Sequence, residues 1–456
     1  MKKASWVILL VVAAACLWAA GRLNRPLLER RASREHARLE QLRDAPPLVV
    51  FTTVALGGFR GLIADLLWVR AMDLQDEGKY FEIAQLADWI TKLEPHFTQV
   101  WAFHAWNMAY NISIFFPEPA DRWRWVENGI RLLRDEGIRY NPADPMLYRE
   151  LGWLYYHKIG GPWDSAHLYY RRQLADQVED AMGGPTPDYA RLTAAGSETG
   201  RRLREELKLD PAVMRQIDGE YGPLDWRTPE AQAVYWGYRG VQAGGGKSLE
   251  CARLIFQSMS ATVRQGRVIL DREHGFLMTM PRTDLAWQAL RAYEQAEPYG
   301  ESSVRVAQAN FLDEAMLLLA TLDETAEARK LYEVLRRHFP AEAGKGFEEH
   351  LRDLTADRMR SQSQADAESM VEESVYQALI WSALDEPRRA TGLLKFARGV
   401  WEAIGVARSS SGPGVAPMPP FGDVVRRTGE RLKAELPEPL RSKVADVRLE
   451  PANQTQ

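Results

Sequence analysis

The stretch DPMLYRELGWLYY, from Asp144 to Tyr156, has the residue spacing of a helix that packs closely against a neighbouring helix. The large residues Tyr148, Leu151 and Tyr155 recur at helical spacing around the small residue Gly152. A small residue lets a second helix approach, and the large residues fill the space beside it. The stretch therefore predicts a helix that stacks against others.

The same order of large and small residues returns along the chain with a period of about 34 residues. One copy starts at Ala233 and has its matching residues at Trp236, Gly240, Ala252 and Phe256. Another, within 309–342, matches at Ala328, Tyr332, Leu335 and Pro340. Near the front the matches are Gly78, Tyr80, Ile83, Ile90 and Pro95, and the register continues to Trp101 and Ala105. Such a period indicates stacked helix pairs that share one core.

In this register the sequence resembles the tetratricopeptide-repeat family. The resemblance implies an all-α fold, an α-solenoid of antiparallel helix pairs, whose usual work is to dock other proteins. Departures from the period divide the chain. We expect a first block of repeats at 64–182, an irregular helical insert at 183–232, a partly degenerate second block at 233–405, and a flexible linker, short helix and disordered tail at 406–456.

The N-terminus carries an apolar segment, from Ala4 to Gly21, which comes after two lysines. Eighteen helical residues span about 27 Å, which nearly matches a hydrocarbon core of about 30 Å. We favour an uncleaved signal-anchor, a transmembrane helix at 1–21, followed by juxtamembrane and lead-in helices at 22–63. Two alternatives stay open: a signal peptide cleaved after Ala13–Ala15, and a lipoprotein signal that uses Cys16.

The charges beside this segment nearly balance, because five arginines between Arg22 and Arg34 oppose the two lysines in front of it. A single anchor with a short basic head usually exports the polypeptide on its C-terminal side. We therefore expect a single-pass protein of the inner (cytoplasmic) membrane, with the bulk of the chain in the periplasm. The two cysteines, Cys16 and Cys251, do not form a disulfide framework.

No pattern in the sequence indicates catalysis. The run GGGKS, Gly244 to Ser248, lacks the first glycine of a phosphate-binding loop, since Val241 stands there, and it falls between predicted helices. The eight histidines show no metal-ligand spacing, and there is no GxSxG motif. The net charge of −4 differs from the positive charge that is typical of proteins that bind nucleic acid. We expect no enzyme activity, cofactor or metal, and a small-molecule substrate is not favoured.

The resemblance implies that the first helix of each pair forms a concave groove. The residues at its groove positions are Trp68, Gln99, Trp106, Arg149, Trp153, Tyr156 and His157. The family's clamp for acidic C-termini is missing, whereas tryptophans suit an apolar or aromatic peptide. The alternative, that these rings only pack against neighbouring repeats, stays open.

These observations favour a non-enzymatic scaffold for protein–protein interaction, anchored in a membrane and assisting the assembly or localisation of an envelope complex. An alternative is a helical-repeat regulatory or carrier subunit of a cell-envelope polysaccharide or glycan-processing enzyme. Direct recognition of glycan strands by the aromatic groove is a third hypothesis.

Overall fold

The structure is a computed structural model that describes residues 60–245, 248–340, 346–360, 364–409, 419–436 and 438–445. The predicted anchor at 1–21 and most of the segment at 22–63 lie outside these residues. The chain divides into two compact units, Met1–Val100 and Trp101–Gln456. None of the helices that the structure describes has the length and apolarity needed to cross a membrane.

The first unit contains a helix pair, α1 (Arg60–Asp76) and α2 (Tyr80–Leu93). Ile83, Ala87 and Ile90 recur every three to four residues in α2, and this spacing places them on one buried face. Ala87 and Ile90 pack in a small core with Ala64 of α1. Gly78 makes the turn between the helices in a left-handed conformation, with φ of +70°. The helix pair predicted here is present.

Helices make up most of the rest. In chain order they are α3 (Thr98–Trp106), α4 (Pro119–Arg131), α5 (Pro145–Trp153), α6 (His167–Met182), α7 (Tyr189–Thr193), α8 (Glu198–Glu206), α9 (Pro211–Tyr221), α10 (Pro229–Ala243), α11 (Leu249–Gln265), α12 (Ala286–Ala296), α13 (Glu301–Thr321), α14 (Thr325–His338), α15 (Phe347–Arg360), α16 (Gln364–Ala383), α17 (Pro387–Ser409), α18 (Phe421–Glu435) and α19 (Glu438–Ala445). The predicted cap of α10 is confirmed, because the Thr228 hydroxyl accepts a hydrogen bond from the Ala231 amide at 3.1 Å.

Helices α3, α4 and α5 continue without a break into wider, π-helical turns. These turns are Asn107–Ile112, Leu132–Gly137 and Leu154–Ile159. The first is followed by a 3₁₀ turn, Ser113–Phe115, and the second by a short α-helical segment, Ile138–Tyr140. A π turn holds an extra residue, so side chains after it point in a different direction from those of a regular helix.

Small residues mark the places where helices approach most closely. A Cβ atom added to Gly129 of α4 would stand 2.8 Å from the backbone oxygen of Ala105 in α3. A Cβ atom on Gly152 of α5 would overlap the side chain of Leu254 in α11 and stand 3.3 Å from the oxygen of Ala233 in α10. Ala105 and Gly152 are both positions where the sequence predicted a close helix contact.

Helices α5 and α10 run antiparallel to each other. Pro145, at the start of α5, contacts Gly244, which directly follows α10. Gly160, just after the π turn of α5, lies beside Glu230 at the start of α10. In a continuous array of helix pairs, successive first helices would be parallel. The intervening helices α7, α8 and α9 therefore reverse the direction of the chain before the second block.

A two-stranded antiparallel hairpin interrupts the second block, and the expectation of a purely helical chain missed it. Strand β1 (Arg267–Asp271) pairs with β2 (Phe276–Met280). Gly275, with φ of +65°, completes the turn between them. Met280 is buried and belongs to the hydrophobic cluster of α16 and α17.

Two hydrophobic cores hold the second unit together. The larger extends from α3 to α15, and the smaller joins α16, α17, α18 and α19 around Trp381. Helix α18 matches the short helix predicted near the C-terminus. Helix α19 follows it and buries Val444 in the smaller core, and residues 446–456, which end the predicted disordered tail, lie outside the described residues.

Candidate functional site

Five of the seven predicted groove residues come together in the second unit. Trp106 ends α3, Arg149 and Trp153 belong to α5, and Tyr156 and His157 lie in the π turn that follows α5. The other two predicted residues belong to the first unit. Trp68 is half-buried, with its ring 5.8 Å from that of Phe97, whereas Gln99 is exposed. Trp68 therefore packs against the small core of the first unit.

The imidazole of His157 connects two tryptophans into a stack. Its ring centre lies 4.9 Å from Trp153 with 15° between the planes, and 5.7 Å from Trp163 with 14° between the planes. Tyr156 adds a tilted ring 5.7 Å from Trp153. The Arg149 guanidinium lies over Trp153 at 5.1 Å, within the range of a cation–π interaction.

A second stack, at the end of α3, joins the first. The rings of Trp106 and Tyr110 are 5.4 Å apart and nearly parallel. The Tyr110 hydroxyl and Nδ1 of His157 share a hydrogen bond of 3.0 Å. Burial, together with the neighbouring Lys158 ammonium, lowers the pKa of His157 and so favours the neutral ring. We call Trp106, Tyr110, Trp153, Tyr156, His157 and Trp163 the aromatic cluster.

The aromatic cluster is open to solvent on one side. Trp163 is 74% exposed and Trp106 is 37% exposed, whereas the other members are half-buried. Exposed large apolar side chains that belong to one contiguous cluster mark interaction sites more often than side chains scattered singly. The cluster thus offers flat apolar surface that is held in place by hydrogen bonding and stacking behind it.

A buried carboxylate shapes the loop that carries Trp163. Asp164 accepts hydrogen bonds from Lys158 Nζ at 2.7 Å, the Ala166 amide at 2.9 Å, Arg122 Nη1 at 3.0 Å and the Tyr170 hydroxyl at 3.1 Å. Burial alone would raise the pKa of Asp164, but the hydrogen bonds from these donors hold it at about 2. The charged form of Asp164 therefore fixes the loop, and with it the position of Trp163.

A buried ion pair holds the residue that directly follows the π turn of α5. Arg171 of α6 bonds to Glu230 of α10 at 2.6 Å, and both side chains are almost fully buried. Arg171 also donates to the backbone oxygen of Gly160, and Gln265 donates to Glu230 at 2.7 Å. These bonds tie α5, α6 and α10 together directly behind the aromatic cluster.

The polar groups at this site are engaged with one another. His157 is surrounded by rings and by Tyr110, and the nearest carboxylate network, at Asp164, has its oxygens occupied by four donors. Over the described ranges, no three or more His, Cys, Asp or Glu side chains converge to hold a metal ion. The part of GGGKS that the structure describes before Gly246 follows a helix, and Gly245 there has φ of +63°.

Sequence reasoning missed Tyr110 and Trp163. Tyr110 lies in a π turn, as His157 does, and it follows Trp101 at the same nine-residue spacing by which His157 follows Tyr148, so the repeat register could have revealed it. Trp163 lies in the loop after Gly160 and Gly161, outside any repeat position. The signal that could have revealed it is a tryptophan next to an aspartate in a glycine-rich turn.

No model of a known protein family matches the sequence, and no characterised protein matches it at a significant level. Function is therefore inferred from the geometry of the site.

Proposed function

We propose that the chain is a non-enzymatic scaffold of the tetratricopeptide-like α-solenoid type, which docks a segment of another protein on the aromatic cluster. The segment at 1–21 would anchor it in the inner membrane, with the body in the periplasm, where it assists the assembly or localisation of an envelope complex. The observation that carries the proposal is the pair of joined stacks, Trp106 with Tyr110 and Trp153 with His157 and Trp163, in which Trp106 and Trp163 are exposed to solvent.

The helix packing supports the repeat-like part of the proposal. Paired helices α1 and α2, α3 and α4, and α13 and α14 follow one another with short connections. Small residues at Ala105 and Gly152 stand where pairs approach most closely. Because α10 runs antiparallel to α5, we propose regular repeat geometry within each block but not across the insert.

The chemistry of the aromatic cluster favours a peptide with apolar or aromatic side chains. Indole rings bury much area and lose little side-chain entropy, so they are common anchors in interfaces. Lys158 is buried and paired with Asp164, and Arg149 pairs with Glu150, so neither offers a free cation for an acidic peptide. An uncharged segment that can stack on Trp163 and Trp106 therefore fits best.

The test is capture of partners by the tagged full-length protein from membranes, followed by titration of the partner that is recovered. The double variant Trp106→Ala with Trp153→Ala should lose that partner. An anchor residue contributes at least about 2 kcal/mol, so affinity should fall about 30-fold or more for each tryptophan.

Trp287→Ala is the matched control, because Trp287 is 40% exposed but lies on α12, outside the aromatic cluster. It should keep the partner, and all variants should retain the far-UV helical signal. Normal binding by the double variant, or equal loss in the Trp287 control, would exclude the aromatic cluster as the docking site.

A further inference from the structure

A second site candidate lies among α9, α10, α11 and α12, apart from the aromatic cluster. It is a cavity of about 330 Å³ whose floor consists of small apolar residues of α10, α11 and α12. Its rim carries three tyrosines, Tyr221, Tyr238 and Tyr299, together with Glu220 and Gln295. Volumes of this order accommodate a small ligand or one long side chain of a partner.

A chain of hydrogen bonds positions the carboxylate at the rim. The Tyr221 hydroxyl donates to the amide oxygen of Gln295, and the Gln295 amide nitrogen donates to Glu220 at 2.6 Å. Tyr221 is buried, so its hydroxyl is a fixed anchor for Gln295 and, through Gln295, for Glu220. The carboxylate is therefore held at the cavity in a defined position.

Glu220 has no ion-pair partner among the residues that the structure describes. The nearby Arg291 bonds at 3.4 Å to the backbone oxygen of Glu220 and not to its carboxylate. Two other carboxylates of this unit that are shielded from solvent do have a cation, since Asp225 pairs with Arg227 and Glu230 pairs with Arg171. Glu220 is thus a half-buried anion beside aromatic rings with no cation of its own.

We propose that this cavity binds an organic cation with an apolar stem, namely a primary alkylammonium group. The carboxylate of Glu220 would supply the counter-charge, and the faces of Tyr238 and Tyr299 would favour the cation electrostatically. The apolar floor would take the methylene stem, much as long basic side chains lay their stems on apolar surface. An anion is excluded by repulsion from Glu220, and a neutral ligand leaves that carboxylate unpaired. A free amine and a lysine of a partner protein share this chemistry, and the choice of probes distinguishes them.

The experiment measures binding of defined probes to the full-length protein in detergent by ligand-observed saturation-transfer NMR titration. The probes are Nα-acetyl-lysine-N-methylamide, n-butylamine, and the uncharged Nα-acetyl-norleucine-N-methylamide. Both cations should bind, and the norleucine compound should bind at least about tenfold more weakly. A lysine compound that binds about tenfold tighter than n-butylamine identifies a protein-borne lysine as the ligand, whereas equal affinities identify a free amine.

Four substitutions test whether the probe cations bind in this cavity. Glu220→Gln keeps the hydrogen-bond acceptor for Gln295 but removes the charge, and it should weaken both cations about tenfold or more. Tyr238→Leu should weaken them as well, while Tyr238→Phe should not. Glu294→Gln is the matched control, since Glu294 is an exposed acid on α12 that does not line the cavity. Equal binding of the lysine and norleucine compounds, or unchanged binding by folded Glu220→Gln, would overturn the proposal.

Discussion

Replacing Asp164 by asparagine tests whether charge holds the loop of Trp163 in place. Asparagine has almost the same shape as aspartate and can still accept hydrogen bonds, but it carries no charge. The four donors around Asp164 would then face a neutral group, and Lys158 would remain buried without its anion. We expect the loop to open far more often in the variant.

The expected loss of stabilising free energy follows from the pKa of Asp164, which is about 2 in the folded protein against an ordinary value of 3.8. This difference corresponds to about 2.5 kcal/mol of stabilisation by the charged form. Burial lowers the pKa of Lys158 despite the opposing effect of Asp164, so placing the ammonium there has a cost. That cost persists in the variant, and we therefore expect the full loss of about 2.5 kcal/mol.

Hydrogen exchange of the backbone amides, followed by mass spectrometry, measures this loss locally. Peptides that cover Gly160 to Tyr170 should exchange about 70-fold faster in Asp164→Asn at pH 7, because local opening controls their exchange. The pKa of Asp164 is depressed by folding, so its stabilisation is complete above about pH 4 and is lost as the pH falls towards about 2. The difference between the two proteins should shrink over that interval.

Asp121→Asn serves as the control, since Asp121 pairs with Arg124 at an exposed position. It should change exchange of the same peptides by less than about twofold, because exposed ion pairs contribute little. Equal exchange in wild type and Asp164→Asn at pH 7 would refute the reasoning. So would a difference between them that stays constant down to about pH 2.

Two further predictions concern the packing behind the aromatic cluster. Gly129→Ala should lower the free energy of unfolding by about 1–3 kcal/mol, because the new methyl group would meet a backbone oxygen of α3. Gly219→Ala, at a helix position with open space around it, should instead raise the free energy of unfolding by up to about 1 kcal/mol. Urea unfolding measures both variants. Glu230→Ala should cost about 3–5 kcal/mol, because Arg171 would remain buried and unpaired. Glu205→Ala, the control at an exposed ion pair, should change the free energy of unfolding by less than about 0.5 kcal/mol in thermal unfolding. Similar losses in Glu230→Ala and Glu205→Ala would contradict the importance of burial.

Local features of the fold could be predicted from the sequence. The helical spacing around Gly152, the cap at Thr228 and the helix in 421–435 depend on residues that are close in the chain. Such patterns act through hydrogen bonds and side-chain faces within one or two helical turns. They therefore indicate which segments are helices and which faces are buried.

Long-range arrangement could not be predicted in the same way. Nothing near Pro145 in the sequence shows that its helix will run antiparallel to α10. The hairpin Arg267–Met280 is short, and it is stabilised by packing on helices far along the chain. Of the candidate site, the residues on helix α5 and its π turn were predicted, whereas Trp163 lies in a loop that periodicity does not describe.

The antiparallel contact between α5 and α10 also affects how the chain folds as it is made. The face of α5 around Gly152 has its main partners in α10 and α11, which emerge only after the whole insert has been synthesised. At about 5–20 residues per second, the delay between completion of α5 and of α10 is on the order of 10 s. During that time Tyr148 and Leu151 expose apolar surface that is buried in the finished protein. The nascent first block therefore exposes an apolar helix face until α10 and α11 have been made, and exposed surface of this kind promotes aggregation.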